Sequence, residues 1–462
     1  VVDKWNIRMK DIILITADSL RSDYISYYNP DSPANTPNLD KLAEEGAVFH
    51  TAISNGSGTV LSVPSLLTGD YKPNVSDSTP TVAELLKRQG YQTAAFTPNI
   101  QVVGPNLSHM KLDRGFDHFD TLLHTVRKKS EYGLEKAAYG IGHVSERLFG
   151  ESKIHDVIAT SVSYLPLPLA RPTPPVDVVN QHALQWIDAE LDGEAPFFMW
   201  LFHLDTHEPW LPPEDYVSDQ FDGFGSQYLL RGLNRKFRYF KNCMSEKELE
   251  KIQSLYTASI EYWDEEIGEF IDEVGEKRGR EPLVIITSDH GELFGEHGDI
   301  SHGSAPWEPL IRVPLIINGP NVPQKDESDI VQNIDVANTI INAGESEVPD
   351  TCRGISLLES GSDEETSRDG VMSITSAEPH DFVYHTGDWK YIKTTDEEYL
   401  FDMRNSWDEI ENVSEDYPDI HADMSENLDD ELAKLSAGSD KTKNIDGDEE
   451  IQERLRSLGY IE

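Results

Sequence analysis

The stretch Ile12–Ser19, IILITADS, decides the reading of the chain: an unbroken apolar and β-branched run that ends on an aspartate. A short run without polar alternation fits a strand buried on both faces, and such strands belong to parallel sheets covered by helices. TAAFT (Thr93–Thr97), FFMWLFHL (Phe197–Leu204) and LVIIT (Leu283–Thr287) repeat the texture, and RVPLIIN (Arg312–Asn318) suits a further strand. Between them lie helical patterns with polar faces: TPNLDKLAEEG, TVAELLKRQG, VVNQHALQWIDAEL and LYTASIEYWDEEIGEFIDEVG. Several stop at glycine, a preferred helix terminator. Strands alternating with helices predict an α/β fold, a large mostly parallel sheet sandwiched by helices.

Working outward, three of these strands are followed at once by residues able to do chemistry: Asp18, then Asp205 and His207, then Asp289 and His290. Open α/β sheets bind ligands beyond the carboxyl ends of their strands. A site is therefore expected at that edge. Asp18, Asp289 and His290 form a hard oxygen and nitrogen set suited to one divalent cation, Ca, Mn, Mg or Zn alike. Taken alone, Asp289 is equally a helix cap and His290 a packed loop histidine. Pro209 argues against continuing the strand past His203, which makes His203 a core residue and His207 the one to touch a substrate oxygen. His302, among small residues in ISHGSAP, is a second such candidate, its alternative being a surface-loop histidine. The basic and aromatic cluster RGLNRKFRYFKN (Arg231–Asn242) reads either as a collector of anionic substrate or as a solvated helix face over core aromatics.

The chain has 462 residues, room for one large domain and a smaller one. Its formal charge is −45, with 84 acidic against 39 basic residues spread along its length. That self-repulsion needs concentrated salt to screen it, as in the acidic proteome of a halophile, and it argues against nucleic-acid and anionic-membrane partners. Two distant cysteines, Cys243 and Cys352, imply no disulfide framework. No apolar run is long enough for a membrane span and no signal-peptide pattern opens the chain, so a cytoplasmic location is expected. The expected units are a catalytic α/β domain over 1–345, a small antiparallel subdomain over 346–412 and an acidic extension over 413–462 ending in a short helix, IQERLRSLGY. Residues 121–170 read as a helical insertion, either a lid or a peripheral layer.

In IILITADSLRSD, NTPNLDKLAEEGAVF, PSLLTG, GYQTAAF, RGFDHF, DTHEPWLPP, YTASIEYWDEEIGEFID, TSDHGELFGEHG and RVPLIINGP, then TGDWKYIKT, YLFDMRN and ERLRSLGY, the chain resembles the sulfatase family of the alkaline phosphatase superfamily. The likeness runs nearly end to end and suggests a haloarchaeal type of hydrolase or transferase. It implies a metal-dependent enzyme acting on sulfate or phosphate esters, including those of a glycan. Asp18, Asp289 and His290 match metal ligands, and His207 and His302 match positions at the transferred group or the leaving oxygen. The nucleophile position falls in SNGSGTVLSVPSLLTGDY (Ser54–Tyr71).

This chain departs from the family pattern there. SVPSL imitates a C/S-x-P-S-R motif but has Leu66 where arginine belongs, Ser19 stands where a second aspartate is common, FTPNI lacks a lysine and a histidine, and His302 replaces a frequent lysine. Two hydroxyls compete. Pro64 favours Ser62 as nucleophile, because proline sits easily in a first helical turn. The spacing to LLTG and the flexible GSG before it favour Thr59, leaving Ser62 as a helix N-cap, and Thr59 is preferred as attacking group and metal ligand. The first expectation is hydrolysis of sulfate esters by in-line attack. An unmodified Thr59 makes a phosphotransferase or phosphodiesterase the alternative, and the departures from the pattern allow an inactive binder of sulfated or phosphorylated glycans.

Overall fold

The computed structural model describes residues 10–71, 75–99, 102, 110–122, 140–141, 144–145, 147–150, 152–165, 173–217, 226–303, 305–358, 368–375 and 380–437. Nine strands form the main sheet: β1 (Ile12–Ala17), β2 (Ala47–Ile53), β3 (Gln92–Phe96), β4 (His118–Asp120), β5 (Phe197–His203), β6 (Leu283–Ser288), β9 (Arg312–Val313), β10 (Leu315–Asn318) and β11 (Lys325–Gln332). Between β6 and β9 a small ribbon pairs β7 (Leu293–Phe294) with β8 (Ile300–Ser301). The spatial order is β11-β2-β10-β6-β1-β5-β3-β4, with β9 on β2. All neighbours pair parallel except those involving β10 and β9.

The central strands are buried at every residue, and alternation divides them between two cores. Ile13, Ile15, Met199, Leu201 and Ile286 face the helices Pro37–Glu45, Val176–Ala189 and Glu246–Arg278, where Tyr256, Trp263 and Phe270 are buried. Ile12, Leu14, Phe198, Trp200 and Ile285 face the helices Thr59–Thr68, Val82–Arg88 and Asn333–Ala343. Truncating such a residue, Leu14→Ala for example, costs about 2–5 kcal/mol. RVPLIIN turns out as two short antiparallel strands rather than one.

A second sheet, antiparallel, follows in the order β12 (Val371–Ile374), β13 (Phe382–His385), β14 (Trp389–Lys393) and β15 (Glu398–Asp402). It is clipped to the main body by its first strand: Gly56 bridges Ile374, Ile374 N–H donates to Asn55 O at 3.1 Å and Ser57 N–H to Ile374 O at 3.4 Å. The acidic stretch after residue 412 carries a twenty-residue helix, Pro418–Ala437. Ile420, Met424, Leu428 and Leu432 recur every four residues and pack its one apolar stripe on this sheet. The expected terminal helix IQERLRSLGY lies outside the described residues, as do 123–139 and 166–170 of the insertion. Its described helix, Lys153–Ser163, buries Ala159 and Val162 against Phe240. Among the described residues no helix is long and apolar enough to cross a membrane.

Candidate active site

The register of the central strands builds the site. Ala17 pairs with Ser288 on one side and His203 on the other, so the residues that follow each strand emerge at one edge. Asp18, Asp289 and His290 are fully buried there, with ligand-capable atoms all within 4.8 Å of one another. Gly291 makes the sharp exit possible: a β-carbon there would lie 1.9 Å from Pro309 O.

Thr59 opens the helix Thr59–Thr68 and its hydroxyl reaches the same group, donating to Asp289 Oδ2 at 2.8 Å and lying 3.3 Å from His290 Nε2. Ser62 does not. Its hydroxyl donates back to Gly58 O at 3.1 Å, and the helix N-cap is Gly58. Ser62 is thus a back-bonded helical serine rather than the expected cap. Pro64 does not mark a first turn, because the helix begins five residues before it and carries it in its interior. Neighbouring hydroxyls bond to backbone around it, Ser65 to Ser62 O and Thr68 to Pro64 O.

The two carboxylates are held by neutral donors. Ser19, at φ 65°, gives its N–H to Asp289 Oδ1 at 3.1 Å and its hydroxyl to Asp18 Oδ1 at 3.0 Å. Asn99 donates to Asp18 Oδ2 at 3.0 Å. A serine rarely adopts positive φ, and here the turn aims two donors at the paired acids. Burial and the charge of Asp289 push the Asp18 carboxyl well above its usual range. Such a pair is stable only if protonated or joined by a cation. His290 Nδ1 lies 2.8 Å from Gly291 O, an acceptor only, so the proton sits on Nδ1 and the Nε2 lone pair faces Thr59 and the acids. Two hard oxygens and one imidazole lone pair fit a divalent metal ion.

Beside this group stand the other two predicted histidines. The His302 ring lies 4.6 Å from that of His290 and 5.0 Å from that of His207. His207 Nδ1 donates to Glu208 O at 2.6 Å. His302 Nδ1 meets Glu292 Oε2 at 3.0 Å and Oε1 at 3.2 Å. Burial, with His290 and His207 alongside, holds His302 well below the ordinary histidine value. Glu292 is fully buried, and burial pushes its carboxyl up to about 8 against the pull of His207 and His290. Sequence reasoning missed Glu292 and Asn99. An acid set between Gly291 and the apolar Leu293–Phe294 was the signal for the first; nothing marked the second.

The remaining candidates lie outside the metal-capable group. His203 is buried in the core with Trp263 Nε1 donating to its Nδ1 at 3.2 Å. Asp205 is buried but stands outside the metal-capable group. In the basic cluster, Arg235 donates to Ser163 O, Lys236 pairs with Glu248 at 2.9 Å, Arg238 lies 3.4 Å from Glu208, and Phe237 and Phe240 are core. Those cations brace helices.

Comparison with known proteins bears on the family and the fold. Residues 10–345 match the family model "Sulfatase", and 295–437 match "N-sulphoglucosamine sulphohydrolase, C-terminal". An arylsulfatase of Clostridium perfringens is 25% identical, over 88% of this chain and 91% of its own. A choline-sulfatase of Rhizobium meliloti is also 25% identical, over 88% and 82%. Among solved structures, a protein in complex with its substrate D-glucosamine-2-N,6-O-disulfate superposes with a TM-score of 0.67 at 18% identity, covering 93% of this chain and 99% of that one. A phosphonate monoester hydrolase of Agrobacterium radiobacter gives 0.64 at 18%, covering 92% and 96%.

Proposed function

The chain belongs to the sulfatase family, and on that premise we propose that it hydrolyses sulfate esters, including those of an anionic glycan, with Thr59 as the attacking hydroxyl. The observation that carries this reading is Thr59 Oγ1 at 2.8 Å from Asp289 Oδ2, inside the group formed with Asp18 and His290. Asp18, Asp289, His290 and Thr59 would hold one divalent ion, which when bound acidifies the hydroxyl and offsets the charge of the transferred group.

The protein's own residues do the rest. Asp289 Oδ2 accepts the hydrogen bond of the Thr59 hydroxyl, stands ready to take its proton and orients Oγ1 for in-line attack. The N-terminal N–H groups of the helix Thr59–Thr68 favour an anionic group in front of Oγ1. Attack forms the Thr59 O–S bond and breaks the bond from sulfur to the leaving oxygen. That oxygen takes the proton on His302 Nε2 while His302 Nδ1 takes one from the Glu292 carboxyl, which burial pushes up to about 8, with His207 alongside. Water then cleaves the Thr59 sulfate ester, releasing sulfate and restoring the hydroxyl.

A second reading, transfer or hydrolysis of a phosphoryl diester, draws support from the same threonine. Threonine has one hydroxyl and cannot expel sulfate as a gem-diol can, whereas a phosphothreonine is readily resolved by water or an alcohol. The charge of −45 adds a requirement for concentrated salt to both readings.

The test is turnover of p-nitrophenyl sulfate, p-nitrophenyl phosphate and bis-p-nitrophenyl phosphate in molar KCl with Mn, Ca, Mg or Zn. Intact-mass analysis of the peptide spanning Asn55 to Lys72 accompanies it. Sulfate turnover that needs a divalent ion, with unmodified Thr59, is the expected result. Turnover of the diester alone would transfer the case to the second reading, and glycan binding without any turnover would leave an inactive binder.

A further inference from the structure

The β7/β8 ribbon does more than return the chain. Leu293 pairs with Ser301 and Phe294 with Ile300, so the next positions outward, Glu292 and His302, face each other across the ribbon's open end. Leu293 and Phe294 are buried and fix the ribbon to the body. Arg21 steadies its base, donating Nη1 to Glu292 O at 3.0 Å and to Glu296 Oε1 at 2.6 Å. Glu292 itself is fully buried, and its carboxyl meets His302 Nδ1 through both oxygens. A buried carboxyl is costly to keep unless it is hydrogen-bonded or paired, and the side-chain partner of this one is His302.

We propose that Glu292 is the positioning residue for His302: by gripping Nδ1 it fixes the ring and its tautomer, so that Nε2, on the opposite side, is the atom that serves the leaving oxygen. This rests on the ester-transfer reading given above, in which His302 supplies the leaving-group proton. His302 is wedged between the rings of His290 and His207, and the carboxyl sets which nitrogen carries hydrogen. The arrangement has the logic of a carboxylate-oriented imidazole in hydrolase triads, built here from two ends of one hairpin.

Two readouts test it. The first is leaving-group dependence. Glu292→Leu and His302→Ala should each slow an alkyl sulfate ester by about 10²-fold, the scale of general acid catalysis. p-Nitrophenyl sulfate, whose leaving group depends far less on a proton, should slow several-fold less than the alkyl ester in the same variants. The double variant should be no worse than either single one, because the two residues act as a unit. Glu292→Gln, which keeps a hydrogen-bonding partner for Nδ1, should restore much of the alkyl-ester rate. Equal losses on both esters, or an additive double variant, would reduce Glu292 to a fold residue and overturn the proposal.

The second readout needs no turnover. In ¹⁵N-resolved spectra the His302 imidazole should show one fixed tautomer in the wild-type protein and a mixture in Glu292→Leu. An unchanged tautomer in that variant defeats the positioning role whatever the activity. A tautomer that depends on Glu292 in a protein that turns over no ester upholds the grip and sinks the ester-transfer reading instead.

Discussion

The buried charge at the seam between the main body and the small sheet and the buried charge at the sheet edge are balanced in opposite ways. At the seam between the main body and the small sheet, Glu308 meets Lys390 at 3.0 Å and Arg312 at 3.1 Å, and Glu409 meets Lys390 at 2.6 Å. His385 adds a contact to Glu308 at 3.4 Å, and Glu409 also accepts the Glu308 N–H at 2.7 Å. Two carboxylates face two permanent cations, and the account closes within the protein. At the sheet edge, Asp18 and Asp289 face a threonine, a serine, an asparagine, backbone N–H groups and the His290 imidazole at 3.7 and 3.5 Å, with no lysine or arginine among these contacts. Burial would push Glu308 up, yet Lys390, His385 and Arg312 hold it well below its usual value; Asp18, with an acid for a neighbour, is driven well above. Charge closed from inside marks a structural joint. Charge left open marks a place for something from outside.

The contrast is most exposed to failure at Thr59. Thr59→Val should lower turnover by about 10³-fold or more, as loss of a nucleophile does, while the melting curve stays near wild type. Ser62→Ala should leave turnover close to wild type, and the opposite ranking in steady-state assays would move the nucleophile three residues along. Next is the seam, where Lys390→Met takes the lysine from Glu409 and leaves Glu308 with Arg312 and His385, and should cost about 3–5 kcal/mol in denaturant unfolding. Asp18→Asn, measured without divalent ions, should cost nothing or stabilise, since it removes one of two like charges. Equal losses in the two variants would erase the distinction. The smallest effect is the pH dependence of the seam. The folded-state value of Glu308 is depressed, so its contribution is present above the ordinary glutamate value of 4.5 and is lost as pH falls through the folded value. Unfolding free energies between pH 7 and 3 should decline less in Lys390→Met than in the wild type.

The legible parts of this fold were those whose residues announce burial on both faces. IILIT, FFMWLFHL and LVIIT could scarcely be anything but central strands, and the acids and histidine that follow them were readable because register in a parallel sheet aligns strand ends. β11, KDESDIVQ, hid its nature: it lies at the sheet edge and only its last three residues are buried. The helix Pro418–Ala437 hid in the same way, one apolar residue in four being outvoted by its acids. Glu292, flagged only by its place between Gly291 and two apolar residues, was hard to assign for another reason. Its meaning depends on a partner ten residues away, and only the hairpin brings them together. Pro64 shows the limit of positional rules, since a helix whose neighbouring hydroxyls bond its backbone carries an internal proline.

The ladder from Gly56 and Ser57 to Ile374 ties the loop just ahead of Thr59 to a strand that enters the sequence more than three hundred residues later. A truncation after residue 345 would keep every side chain of the proposed site and still strip the backstop from the loop that leads into Thr59. The small sheet is therefore no detachable appendage, and an expression trial that shortens the polypeptide to its larger portion would be removing part of the catalyst.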